Sequence, residues 1–160
     1  MGKERTYKIR RLTVGDIPAM QTLFRETVLC VNARDYTREE VEDWASCIDN
    51  EEQVKDWLSN HWFIAALDEC EQIVGFSSMN TEGYLHSLFV HKDWQGKGVA
   101  SFLLAEVERK ALEYGVKEVY SEVSITARPF FEKRGYVVEK VQKQQANRLW
   151  LTNFAMKKRF

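Results

Sequence analysis

Long apolar runs are missing from this sequence: no stretch approaches the ~18 residues that a membrane-spanning helix needs. Residues 1–11 are charged where a secretory signal peptide would carry its apolar core. Insertion into a membrane is therefore not expected. Cysteine and histidine are scarce, with three of each. Cys30, Cys47 and Cys70 are odd in number, lie far apart and form no Cys-x-x-Cys pair, which excludes a disulfide framework. His61, His86 and His91 are equally scattered, and none stands at ligand spacing from a cysteine, so no metal site is expected. Free thiols suit a reducing, cytoplasmic setting. An excess of one charge sign is also absent. The net charge is -1, from 23 basic and 24 acidic residues, which gives no electrostatic case for nucleic-acid binding. Met1-Gly2 with Thr6 fits a myristoylation pattern, but that pattern is short and matches often by chance.

What the sequence does have is a core. Hydrophobic residues at 44% and charged residues at 29% over 160 residues suit one compact domain, here residues 1–160. Residues 7–12 alternate as a first strand. Asp16 is placed to cap a helix with Pro18 in its first turn, and Ile17, Met20, Phe24, Val28 and Val31 form its apolar stripe. Thr37 with Glu40, and Asn50 with Gln53, are capping boxes that open two more helices. Strands follow at 62–67, 73–80 and 84–91. A strongly amphipathic helix then runs from Val99 to a C-cap glycine, Gly115. A strand at 118–124, a short helix capped by Thr126 and holding Pro129, and strands at 136–143 and 148–156 complete the chain. No internal repeat or linker interrupts this order. The pattern βααα-βββ-α-β-α-ββ reads as an α/β (mixed α+β) fold, a mixed sheet with helices on both faces.

Residues 88–100, Leu-Phe-Val-His-Lys-Asp-Trp-Gln-Gly-Lys-Gly-Val-Ala, carry the chemistry. A strand ends, a glycine-containing loop turns and a helix begins at once. Helix N-termini present unpaired N–H groups and a partial positive charge, which suits phosphate. Gly96 and Gly98 let the backbone approach an anion closely, and Ala100 keeps the first turn small. A nucleotide P-loop would need an earlier glycine and a following hydroxyl residue, and a dinucleotide fingerprint would need a third glycine where Ser101 stands. A strand–turn–helix whose glycines serve only the turn remains the bland alternative.

Gln95-x-x-Gly98-x-Ala100, preceded by Leu88-x-Val90, resembles the acetyl-CoA motif of the GNAT superfamily of N-acetyltransferases. Residues 127–136, Ala-Arg-Pro-Phe-Phe-Glu-Lys-Arg-Gly-Tyr, are similar to that family's later motif, and the order of elements is similar across the whole chain. Tyr36-Thr37 with Trp44, Ser124-x-x-Ala127 and Asn153-Phe154-x-Met156-x-Lys158 resemble one bacterial subgroup. The resemblance implies a three-layer α/β/α sandwich whose mostly antiparallel sheet splays between its fourth and fifth strands. It implies acetyl-CoA as co-substrate, without a metal. Pantetheine would lie in the V and bond the backbone of Leu88, Phe89 and Val90. Pyrophosphate would sit on the amides of Gln95, Gly96, Lys97, Gly98, Val99, Ala100 and Ser101. Ser124 stands where an asparagine often binds pantetheine, and Phe131 stands beside it where many members carry a tyrosine proposed to protonate the departing thiolate. The usual general acid is thus missing, although a thiol of pKa about 8.5 leaves fairly well unaided. Lys92 in place of a common proline affects only the loop.

Attack on a thioester needs a neutral amine, so a base must face the V. Two residues qualify by position. Glu122 shares a strand face with Ser124, and a desolvated place among Phe89 and Phe130 is expected to raise its pKa. His86, two residues before Leu88, is expected near neutrality without help, with its direction set by where the strand bulges. A backbone N–H near Leu88 would hold the oxyanion. Nine carboxylates between Asp35 and Asp56, opposed only by Arg38 and Lys55, form either an acidic acceptor wall or a solvated helix face. Trp44, Trp57 and Trp62 read as core anchors, one of them available to line the acceptor pocket. The favoured function is transfer of acetyl to the primary amine of a small molecule. The alternatives are a protein or peptide N-acetyltransferase and a non-catalytic acyl-CoA-binding module. Assembly as a homodimer is left open.

Overall fold

A computed structural model describes residues 7–160; the myristoylation-like pattern at residues 1–6 lies outside the described residues. Strand β1 (Lys8–Arg11) is followed by α1 (Ile17–Cys30), α2 (Arg38–Ala45) and α3 (Glu51–Asn60). Both boxes beyond α1 start their helices. The Glu40 amide donates to the Thr37 hydroxyl at 3.2 Å while the Thr37 amide donates to the Glu40 carboxylate at 2.9 Å, and the Gln53 amide donates to Asn50 at 3.2 Å. Asp16 departs from its expected role. Its carboxylate turns back to accept from the Thr13 amide at 2.8 Å and from Arg10 at 2.9 Å, closing the turn before α1 instead of capping it.

Strands β2 (Trp62–Leu67) and β3 (Ile73–Met79) come next, and then the strand expected over 84–91 breaks in two. β4 (Tyr84–Leu85) pairs in parallel with β6 (Glu118–Ser124), whereas β5 (Leu88–Val90) pairs antiparallel with β3. Two four-stranded sheets result, β1-β2-β3-β5 and β4-β6-β8-β7, with β7 (Val137–Gln145) and β8 (Trp150–Arg159) closing the chain. The break at His86-Ser87 frees backbone groups inside the protein, and buried serines satisfy them. The hydroxyl of Ser77 donates to the Ser87 carbonyl at 2.7 Å, the Ser87 amide donates to the Ser78 hydroxyl at 3.1 Å, and the Ser121 hydroxyl donates to the Leu85 carbonyl at 2.7 Å. The splay between the fourth and fifth predicted strands is therefore held open by specific hydrogen bonds.

Helices cover both faces, as the expected three-layer arrangement requires. β2 is buried on each side: Phe63, Ala65 and Leu67 pack with α1–α3, while Ile64 and Ala66 pack with α4 (Val99–Glu113). Gly75 on β3 seats α4. A Cβ there would stand 2.8 Å from Val99 and 3.0 Å from the Phe89 carbonyl, so only glycine lets the first turn of α4 lie this close to β5. The last helix, α5 (Arg128–Lys133), is not capped by Thr126. The Ala127 amide instead donates to the Ser124 hydroxyl at 3.1 Å. Among the described residues, no helix is long and apolar enough to cross a membrane.

Candidate active site

The splay opens a cleft of about 510 Å³ between β5 and β6, floored by the N-terminus of α4. The Ser87 carbonyl and the His91 amide bond to β3, so antiparallel alternation turns the backbone groups of Leu88 and Val90 toward the cleft. One of those groups is already taken. The Val90 carbonyl accepts from the Thr27 hydroxyl at 2.9 Å and from the Gln95 side chain at 2.8 Å, which leaves the Leu88 N–H and C=O and the Val90 N–H for a strand-like ligand. At the other end, the first backbone bond of α4 runs from the Phe102 amide to the Gly98 carbonyl, so the amides of Gly98, Val99, Ala100 and Ser101 have no partner within the helix. Gly96 and Gly98 have φ of 71° and 81°, and a Cβ on either would meet nothing within 4 Å. Their backbone faces open space in a conformation that disfavours a side chain.

Leu88, Phe89, Val90, Gly96, Gly98 and Val99 line this cleft, as do Gln95, Ala100, Ser101, Ser124 and Phe131. Lys97 does not. Its ammonium stacks over Trp94 at 5.0 Å and its carbonyl accepts from the Tyr7 hydroxyl at 2.6 Å, which ties the loop to the start of β1. Phe131 is buried, with its edge against Tyr136 at 5.1 Å. The Thr126 hydroxyl, which does not cap α5, is buried in the wall of the cleft with no partner among the described residues. An unpaired hydroxyl, unpaired strand-edge groups and an open glycine cradle fit the pantetheine and pyrophosphate of a coenzyme A.

A second cavity of about 800 Å³ adjoins the first. Trp44, His86, Phe89, Glu122 and Ser124 line both, so they mark the junction. One wall is aromatic, with Trp44, Trp57, Phe24, Phe76 and Phe89, and the floor is the polar face of β6, β8 and β7. Ser124 and Asn153 are cross-strand neighbours there, and Gln142 continues their row on β7 outside the cavity lining. Trp62 stays out of the cavity, between Arg11 and Lys110.

Glu122 sits beside that row, but not in the apolar surroundings expected for it. It is exposed, because β6 turns this face to the cavity instead of to a packed layer. The Tyr84 hydroxyl donates to its carboxylate at 3.0 Å and the Gln142 side chain at 3.2 Å. Burial, with the carboxylate of Glu122 adding to it, pushes the Tyr84 phenol well above its ordinary range. His86 also differs from expectation. Burial, and to a lesser degree the neighbouring His61, lower its pKa to about 4, so the imidazole is neutral at pH 7 and holds a proton poorly. Its ring lies 4.8 Å from both Trp57 and His61, and its Nδ1 is 2.6 Å from the Ser87 hydroxyl.

The acidic segment divides. Asp49 lines the cavity and pairs with Arg25. Asp43 faces neither solvent nor acceptor: it is buried and holds the backbone of the β7–β8 turn. Sequence reasoning missed Cys47, which lines the cavity and whose thiol is pushed up to about 11 by burial, with Asp43 and Asp49 adding to the effect. Nothing in its sequence neighbourhood marks it, since the cavity is assembled from residues of α1, α2, α3 and every strand from β3 to β8.

The sequence profile of the Acetyltransferase (GNAT) domain matches residues 32–159. The chain belongs to this family. An N-acetyltransferase of Escherichia coli K12, YafP, is 32% identical over 150 residues, 94% of each chain. The crystal structure of a GCN5-related N-acetyltransferase from Rhodopseudomonas palustris superposes with a TM-score of 0.95 at 29% identity, over 100% of this chain and 99% of the other. The PaiA N-acetyltransferase of Thermoplasma acidophilum, solved in complex with coenzyme A, shares the fold at 20% identity, with a TM-score of 0.80 over 97% and 99% of the two chains. The protein is thus a GNAT acetyltransferase, and acetyl-CoA is the donor this family uses.

Proposed function

We propose that the cleft between β5 and β6 holds acetyl-CoA, that the adjoining cavity holds the primary amine of a small molecule, and that Glu122 is the general base. The observation that carries this reading is the meeting of the two cavities at Glu122, the one carboxylate that lines both. Bound acetyl-CoA supplies an acetyl thioester whose leaving thiol has a pKa of about 8.5. An alkyl amine reaches the site as an ammonium ion, since its pKa is near ~10.4. Aromatic faces and the Glu122 carboxylate suit such a cation, and among the described residues the one other charged residue in the cavity wall, Asp49, is also acidic. Glu122 then takes the proton, directly or through one water, while Tyr84 and Gln142 keep its side chain in place. A neutral His86 at the junction adds no opposing charge. The protonated thiol of Cys47 is a poor nucleophile, which favours direct attack by the amine over an acetyl-cysteine relay.

A cavity of about 800 Å³ with aromatic and polar lining falls in the range of small-molecule sites, which supports a small acceptor. Glu122→Gln tests the base. We expect turnover to fall roughly 10²-fold or more, within the range for losing a general base, with the deficit shrinking as pH approaches the amine pKa. Full turnover by this variant at pH 7 would sink the assignment. Acetylation of peptide N-termini in preference to a panel of small amines would replace the acceptor class.

A further inference from the structure

Arg134 occupies an electrostatically unfavourable place. Its guanidinium donates to the hydroxyl of Ser101, in the first turn of α4, and so lies at the positive end of a 15-residue helix whose leading amides are unpaired. A cation there is repelled by the helix dipole, whereas an anion is stabilised. No carboxylate among the described residues pairs with Arg134 to relieve this. Its position just past α5 suits the negative end of that helix, but α5 has only six residues, against fifteen in α4. The side chain is nevertheless held firmly. It stacks over the Phe130 ring at 3.9 Å and donates to the Phe130 carbonyl at 3.3 Å. A fixed guanidinium fork without a counter-ion, beside free helix amides, is arranged for a phosphate.

The charge along the cleft supports this. Among the described residues that line it, two are basic, Arg34 and Arg134, and one is acidic, Glu122 at the junction with the acceptor cavity. We propose that Arg134 is a coenzyme-binding residue that closes the pyrophosphate cradle at the first turn of α4. This rests on the coenzyme reading given above and adds a side chain to a cradle otherwise made of backbone. Bound phosphate replaces the missing counter-ion, so the repulsion at the α4 N-terminus becomes an attraction only in the complex.

Two thioesters separate this role from simple packing: acetyl-CoA, which carries the pyrophosphate, and S-acetylpantetheine, which lacks every phosphate. For Arg134→Ala we expect the Kd of CoA, measured by calorimetry, to rise at least about tenfold. The preference for acetyl-CoA over S-acetylpantetheine, taken as the ratio of kcat/KM values, should fall by a similar factor. Arg134→Lys should recover part of both, since it keeps the charge and loses the fork and the stack. Arg128→Ala removes the same charge from the opposite end of α5, at a residue paired with Glu132, and should leave the preference unchanged. Two results overturn the proposal. One is an Arg134→Ala enzyme with wild-type CoA affinity. The other is an equal loss with both thioesters, which would make Arg134 a packing residue. If the wild type binds no CoA, the coenzyme reading itself fails, and that outcome is read separately from either of these.

Discussion

His86 shows how far burial moves a side chain from its ordinary chemistry. In water its pKa lies near 6.5, and in the folded protein burial and the nearby His61 bring it to about 4. The sign of the stability effect follows. Between those two values the unfolded chain binds a proton that the folded one refuses, so the native state loses stability as pH falls from about 6.5 to about 4. The loss amounts to roughly 3 kcal/mol at most, at about 1.4 kcal/mol per unit. Urea unfolding at pH 7 and pH 4 measures it. We expect His86→Gln to lose less stability over that interval than the wild type, and an equal loss would mean that the imidazole takes up a proton without cost. Geometry favours Glu122 over His86 as the proposed base: the carboxylate is exposed where the two cavities meet, whereas the His86 ring is packed against Trp57 and His61 with its Nδ1 2.6 Å from the Ser87 hydroxyl.

At the scale of elements, the site depends on joints that involve no reacting group. Asp43 on α2 reaches across to the β7–β8 turn, where its carboxylate accepts from the amides of Asn147 at 2.9 Å, Arg148 at 2.9 Å and Leu149 at 3.0 Å. Desolvation opposes the charge, but these amides and the Arg148 guanidinium outweigh it and hold the carboxyl below its ordinary value. The staple closes one end of the larger cavity, the proposed acceptor site, because Asn147, Ser46 and Cys47 all stand in its wall. We expect Asp43→Ala to cost about 3–5 kcal/mol in chemical denaturation, as for other buried charges stripped of their partner. In the protein that remains folded, KM for the amine should rise more than the Kd for CoA. A loss of under 1 kcal/mol would show that the turn finds other partners. Ser77, Ser78 and Ser121 do the equivalent work on the coenzyme side, where they hold the broken strand in two halves.

Over the whole molecule, the cleft has Arg134 where phosphate is expected and Glu122 where the amine is expected. A ligand that spans β5, α4 and α5 adds contacts to all three elements, and by mass action it stabilises the fold. At a CoA concentration of 100 Kd the gain should be about 2.7 kcal/mol, read as a rise in Tm. Ala100→Leu places a larger side chain in the first turn of α4, and at the same CoA concentration we expect it to lose about 1.4 kcal/mol of that gain or more, a tenfold weakening. An unchanged shift would mean that the α4 N-terminus is not where the coenzyme sits.

Much of this arrangement is local and therefore legible in the sequence. The capping boxes at Thr37 and Asn50, the stripe of α4 and the glycines at 96 and 98 follow from contacts a few residues apart, and local energetics decide them. The strand, turn and helix N-terminus around Gln95 are legible for the same reason, since they are consecutive in the chain. The tertiary structure decided everything that depends on distant partners. Thr126 was a plausible cap until Ser124 took the Ala127 amide, and Asp43 was one carboxylate among nine until the β7–β8 turn came to rest on it. Arg134 had no visible role until α5 packed against α4 and set its guanidinium beside Ser101. The pKa values of His86 and Cys47 belong to this second group, because desolvation is a property of the neighbours that folding brings, not of the residue type.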